Sequence, residues 1–342
     1  LSGQYWQYDW SEPYYVPLWN EYTDPFTKDE ESCHMIEYYS VDQLGNAEDV
    51  KAQCVFVDDT PPDGTKTVGD PKVSCTDGEG CDYWVQDHVT PITLECNDPD
   101  PHPVDHEKVC YKVSLDGSDD TNDYCDYSLE NGWCCVDSPE TIIFQEDSLH
   151  GLEYYCEDAL GNKNSPDIEY FKVDSQPPII NKTLIGPQVG TCPPSNSGDK
   201  CWIKDWTCEE DGTTIHVEAY DNDTYGCAVD QVTCQWWYTL DDGQDEYYTD
   251  DYGIQQGKSS WITPSFDIKF YDDTQHNLHI ICKDALENKV EDVETFYLDS
   301  TPPETIKTYG TPHYCQNSDC SAPEWINNST CLLYTSPSPR DS

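Results

Sequence analysis

IEYYSVDQLGNAEDVKAQCVFVDDTPP, Ile36–Pro62, is the stretch from which the chain is best read. It joins an aromatic and β-branched run, a D-x-L-G-N turn signal, a second apolar run and a proline pair. That is the sequence form of a β-hairpin with a stiff exit. The stretch returns as LEYYCEDALGN leading to VDSQPP over Leu152–Pro178, and as LHIICKDALEN leading to LDSTPP over Leu278–Pro303. A further element follows each proline pair: KTVG at Lys66, KTLIG at Lys182 and KTYG at Lys307, then two cysteines and Trp84, Trp202 or Trp325. Signals that keep one order three times mark a tandem array in which each repeat is a folding unit.

Pro62, Pro178 and Pro303 lie 116 and 125 residues apart, which is one ordinary domain per repeat. The expected organisation is the C-terminal half of a module over 1–62, whole modules over 63–178 and 179–303, and the N-terminal segment of a further module over 304–330. The chain is thus expected to begin and end inside modules. Its closing stretch, CLLYTSPSPRDS over 331–342, resembles the in-frame translation of a sequencing-library adapter and is expected to be a non-native tail outside the repeat.

Within a module the runs PITLEC, TTIHVEAY, KVCYKVSL, IEYFKVD and VETFYLD are rich in β-branched and aromatic residues and bounded by Gly, Asn, Asp and Pro. Several short strands in roughly 120 residues, with no helical period, predict an all-β chain of antiparallel β-sandwiches. Gly45 and Gly161 suit a turn that needs positive φ, and Glu287 stands at that position in the third copy. Either φ is negative there or the turn carries about 1 kcal/mol of strain. The proline pairs favour extended, semi-rigid joints, so modules should follow one another as rods of roughly 30–40 Å, about 100 Å for the visible array.

The aromatic strand ending in D-[AQ]-L-G-N, its return strand and the VDxTPP exit resemble the Ig-like repeats of bacterial and archaeal cell-surface proteins of the adhesin type. The resemblance implies Ig-like modules and a surface location more than any activity. Tyr38 and Tyr154 resemble the tyrosine corner of Ig sandwiches, whereas Ile280 stands at that position in the third copy.

Composition excludes several classes of function. The chain carries 17 Lys and Arg against 68 Asp and Glu, a net charge of −51, and its only arginine is Arg340. Nucleic-acid binding needs clustered cations, and anionic membrane surfaces repel such a chain, so neither is expected as a partner. No apolar run reaches the 18 or more residues of a membrane span.

Nineteen cysteines, or eighteen without Cys331, divide as two, eight, six and two among the modules. Even counts predict disulfides within modules and an extracellular or cell-surface location. Cys33 with Cys54, Cys75 with Cys81, Cys192 with Cys201, and Cys315 with Cys320 are the expected pairs. Cys110 matches Cys234 and Cys156 matches Cys282, with Cys96 and Cys227 as upstream partner candidates for Cys110 and Cys234. Sequons at Asn181, Asn222, Asn327 and Asn328 fit a glycosylated surface.

No GxSxG, HExxH, P-loop or GxGxxG motif is present, and no enzyme is expected. His102 with His106 and His276 with His279 are more plausible as separate imidazoles than as transition-metal ligands. Calcium is the sharper possibility, since hard cations want six to eight oxygens. The loops 98–105, 116–126, 221–223 and 241–251 are oxygen-rich, and Asp116, Asp119, Asp120 and Asp123 are the first candidate ligands. Tyr5–Trp19 and Trp236–Trp237 are dense in aromatics that either pack internally or meet a partner. The expected function is a non-catalytic extracellular stalk or adhesive region contacting other surface proteins, matrix or glycans. The competing reading is an accessory carbohydrate- or ligand-binding region of a secreted hydrolase.

Overall fold

The computed structural model describes residues 3–8, 19–196, 198–206, 212–221, 226–229, 231–241, 243–316 and 325–335, with 3–8 and 332–335 described by their backbone alone. Regular structure among them is strand, apart from one 3-10 turn at Thr121–Tyr124. They form two compact units, Leu1–Gln176 with Asn222–Asp230 and Ala285–Asn288, and Pro177–Asp221 with Gln231–Asp284 and Lys289–Ser342.

The first unit opens with a four-stranded sheet in which Cys33–Val41 lies between Gly3–Tyr8 and Lys51–Phe56. A sandwich follows. One sheet orders Glu140–Ile142, Ile92–Asn97 and Asp63–Val68; the other centres on Lys108–Leu115, Ser148–Glu157 and Asp167–Val173. Alternation decides which side chains face inward: Ile92, Leu94 and Cys96 are buried while Thr93, Glu95 and Asn97 turn outward. They meet Tyr111, Leu152 and Phe171 of the facing sheet in one core. Each such apolar side chain contributes about 1.5–3 kcal/mol by leaving water.

The second unit repeats the plan. Ile179–Ile185, Thr214–Tyr220 and Ser265–Lys269 form one sheet, and Thr233–Leu240, Gln275–Lys283 and Lys289–Leu298 are the central run of the other. Ile215, Tyr238, Phe270, Leu278 and Phe296 fill the space between. In both units the chain leaves the KT-G strand, makes its cysteine pair, and adds a short strand parallel to the closing strand of the opposite sheet: Tyr83–Val85 beside Asp167–Val173, and Cys201–Ile203 beside Lys289–Leu298. Two antiparallel sheets with a first strand shared between them make these Ig-like β-sandwiches. After Pro303, Ile306–Tyr309 pairs antiparallel with Leu332–Thr335, so the first residues of the 331–342 stretch take a strand partner.

Seven disulfides join described cysteines. Cys33–Cys54, Cys75–Cys81 and Cys192–Cys201 are among them. Cys315 is also bonded, and Cys320 lies outside the described residues. The remaining pairs correct the expected partners of Cys110 and Cys234. Cys96 bonds Cys156, Cys110 bonds Cys135, Cys125 bonds Cys134, and Cys234 bonds Cys282. Register is the reason. Cys234 stands directly opposite Cys282, whereas Cys156 stands opposite Val109, one residue out of step with Cys110. A one-residue offset sends a side chain to the other face of the sheet, so Cys156 bridges across the core to Cys96. Cys227 is a buried thiol with no disulfide among the described residues.

Candidate cation site

The D-x-L-G-N phrase is a turn built by its own side chains. Asp158 Oδ1 accepts from the amides of Leu160 at 2.8 Å and Asn162 at 2.9 Å, and Asn162 Nδ2 donates to Asp158 Oδ2 at 2.8 Å. Asp42 makes the same three bonds with Leu44 and Asn46. An aspartate that satisfies amides two and four residues on replaces bonds a longer hairpin would make. The glycine supplies positive φ, 89° at Gly45 and 92° at Gly161, and Glu287 takes 70°, which selects the strained alternative for the third copy.

The VDxTPP phrase uses its aspartate similarly. Asp58 Oδ1 accepts from Thr60 N at 3.1 Å, Asp174 Oδ1 from Gln176 N at 3.0 Å, and Asp299 Oδ1 from Thr301 N at 3.0 Å. The two phrases meet through the asparagine of the turn. Asn162 Nδ2 reaches both the carbonyl and Oδ2 of Asp58 at 3.2 Å, and Asn288 Nδ2 reaches the carbonyl of Asp174 at 3.2 Å.

This docking assembles carboxylates far apart in the chain. Asp58, Asp98 and Asp158 each bring an oxygen within 4.8 Å of the other two. Asp58 is 7% exposed and Asp158 4%. Asp98 closes the Ile92–Asn97 strand; its Oδ2 accepts from Val104 N, while Oδ1 is buried without a hydrogen-bond partner. Burial, with repulsion from Asp98, Asp158 and Glu31, pushes the Asp58 carboxyl up, against the pull of the Thr60 amide. Asp42 occupies the same turn as Asp158 but is exposed, and its bonds from Asn46 hold it below the usual carboxylate range.

Three converging carboxylates with an unused buried oxygen fit a hard divalent cation. With no imidazole or thiolate in the group, zinc has no reason to choose it. Calcium, which accepts irregular oxygen shells completed by water, suits the donor set best. Aspartates stand at the same repeat positions in the next copy, as Asp174 and Asp284, and Asp221 follows the strand matching Ile92–Asn97.

The loop 116–126 behaves differently. Asp116 Oδ1 accepts from Leu149 N at 3.3 Å, and Asp119 Oδ1 caps Thr121 at its amide and hydroxyl. Asp120 is pushed up by burial and by Asp123 beside it. No three of Asp116, Asp119, Asp120 and Asp123 converge as the Asp58 group does among the described residues. Asn181, Asn327 and Asn328 are exposed, and Asn222 lies outside the described residues. Trp236 and Trp237 are buried, at 3% and 6% exposure, so they serve packing; most of Tyr5–Trp19 lies outside the described residues, and Trp19 meets Tyr39 edge to face at 4.5 Å. His276 and His279, three apart on one strand, face opposite sides of the sheet. His276 sits in the core, where burial drives its imidazole down to about 4.

No protein-family model matches the chain, and no curated protein matches it. Among solved structures the chain is similar to part of a 1.5-MDa bacterial ice-binding adhesin, at 13% identity over 87% of each chain and a TM-score of 0.31. It is similar to the fibronectin(III)-like modules of Clostridium thermocellum CbhA at 12% identity, over 68% of this chain and 94% of that one, with a TM-score of 0.26. It is also similar to the C-terminal domain of the Streptococcus pyogenes antigen I/II-family protein AspA at 10% identity, over 70% of this chain and all of that one, with a TM-score of 0.28. At such values the Ig-like sandwich rests on the strand pairing of the chain itself.

Proposed function

We propose that the chain is a non-catalytic extracellular stalk whose Ig-like modules are stapled by disulfides and stiffened at their seams by calcium. The carrying observation is the meeting of Asp58, Asp98 and Asp158, in which the exit phrase of one repeat docks on the turn of the next. A cation there neutralises carboxylates that otherwise repel one another and ties the exit phrase to the following sandwich. The bound state is favoured by about 2.7 kcal/mol at a hundred times the dissociation constant.

Disulfides suit an oxidising exterior, and a charge of −51 keeps neighbouring copies apart while drawing cations. No helix among the described residues is long and apolar enough to cross a membrane. Partners of such a stalk are other surface proteins, matrix or glycans, met by exposed strands and loops. Small-angle scattering checks the reading. A maximum dimension near 100 Å that lengthens or sharpens when calcium replaces chelator is expected, at about 30–40 Å per module. A compact particle unaffected by calcium would refute it.

A further inference from the structure

The same buried histidine recurs in every repeat. His34, His150 and His276 each stand eight residues before the aspartate of the D-x-L-[GE]-N turn, on the strands Cys33–Val41, Ser148–Glu157 and Gln275–Lys283. Their exposures are 4%, 0% and 0%. A strand position that faces a sandwich core ordinarily takes an apolar side chain, and a polar ring there costs stability unless its nitrogens are satisfied.

Both sandwiches hold the ring in one way. Phe144 and Phe270, each six residues upstream, lie against the imidazoles of His150 and His276 at 4.3 Å and an interplanar angle of 31°. Nδ1 faces the carbonyl two residues back, that of Ser148 at 3.4 Å and that of Thr274 at 3.3 Å, which suits a neutral ring carrying its proton on Nδ1. The other nitrogen differs. His150 Nε2 lies 3.2 Å from the Tyr124 hydroxyl, whose oxygen already accepts from Gln145 N. His276 Nε2 is buried without a hydrogen-bond partner among the described residues, so a proton added there meets no acceptor.

The charged neighbours do not offset this. Asp241, just past the adjoining strand, favours the imidazolium of His276, and Asp116 favours that of His150. Asp272 and Tyr247 act on Tyr238, whose ring lies 4.8 Å from that of His276; Asp120, Asp123 and Glu146 act on Tyr124. The facing sheets bring apolar side chains to the shared cores, Ile215, Val217 and Ile268 in the second sandwich and Ile92, Leu94 and Ile142 in the first. Burial outweighs the carboxylates, pushing the His150 imidazole down and that of His276 to about 4.

We propose that the repeated histidine is an acid-operated release: its protonation parts the two sheets of a sandwich, and the second sandwich opens at a higher pH than the first.

The sign follows from the depressed imidazole. The unfolded chain takes the proton more readily than the folded one, so the stability given by neutral His276 is complete above pH 6.5 and is lost as pH falls toward 4. Buried carboxyls of the same sandwich act in the opposite direction. Asp272 and Glu294 are pushed up by burial, so the folded state takes their protons the more readily. Disulfides set the order. Cys96–Cys156 joins the two sheets of the first sandwich, whereas no disulfide among the described residues joins those of the second. His150 also has a partner for Nε2, which His276 lacks.

Histidine NMR and limited proteolysis of the whole chain, from about pH 7.5 to about pH 4 in chelator so that no cation contributes, test the proposal. His276 should stay neutral until an acid-active protease begins to cut between 214 and 298, the two events sharing one midpoint. Cuts between 92 and 173 should follow at a pH lower by about one unit. His276→Phe should lower the opening pH of the second sandwich by about one unit and leave the first unchanged, and replacing Cys96 and Cys156 by alanine should narrow the gap between the two. A His276 imidazole that titrates near 6.5 while the second sandwich stays closed overturns the proposal without recourse to any variant. An unchanged opening pH in folded His276→Phe overturns it as well, and first-sandwich cuts at the same or a higher pH overturn the order.

Discussion

Glu287 shows at one residue what the turn demands. The two copies with glycine enter positive φ without steric cost, whereas Glu287 reaches 70° with a Cβ that crowds its own backbone. Glu287→Gly is therefore expected to stabilise the second sandwich by about 1 kcal/mol, read as a higher midpoint in urea. His276 carries a pH dependence. It is fully buried, and burial lowers its folded pKa to about 4 from the ordinary 6.5. The unfolded chain thus binds the proton more readily, so the stability given by the neutral imidazole is present above pH 6.5 and lost as pH falls toward 4. The unfolding free energy read from urea titrations should drop by about 1–3 kcal/mol between pH 7 and pH 4.5, and His276→Phe should reduce that drop.

At the scale of elements, the strands and the hairpin closed by the D-x-L-G-N turn were legible because period-2 alternation and turn chemistry are local, whereas the order of strands in each sheet was not. TTIHVEAY and VETFYLD state their faces residue by residue. Cysteine partners were legible only where the chain brings them together itself, as for Cys75 and Cys81. Cys96 and Cys156 are 60 residues apart on opposite sheets, and their pairing depends on a one-residue register that spacing does not encode. Loop length also grades the bonds. Removing Cys96–Cys156 by double alanine substitution is expected to cost about 4 kcal/mol, against about 2 kcal/mol for Cys75–Cys81, by thermal or urea unfolding. Equal losses for the two bonds would show that chain entropy does not govern them.

For the whole molecule, the acidic character was plain but its organisation was not. Among 68 acidic residues, clusters adjacent in sequence such as Asp116–Asp123 draw the eye, yet Asp119 caps the local turn at Thr121 and Asp116 accepts from the amide of Leu149, 33 residues away. Asp58, Asp98 and Asp158 come from three distant phrases, and only the docking of one repeat's exit on the next repeat's turn unites them. The signal was present in the repetition itself: aspartate returns in VDxTPP and in D-x-L-G-N each time, at positions where a turn alone would accept asparagine or serine.

Thermal unfolding in millimolar calcium against chelator tests the central claim most directly, with Asp98→Asn alongside, a substitution that removes the charge of the carboxylate with the unused oxygen. A gain of about 2.7 kcal/mol on saturation should raise the midpoint by about 5–10 °C, and Asp98→Asn should lose a clear part of that rise. Identical melting with and without calcium, or an undiminished rise in Asp98→Asn, would contradict the account.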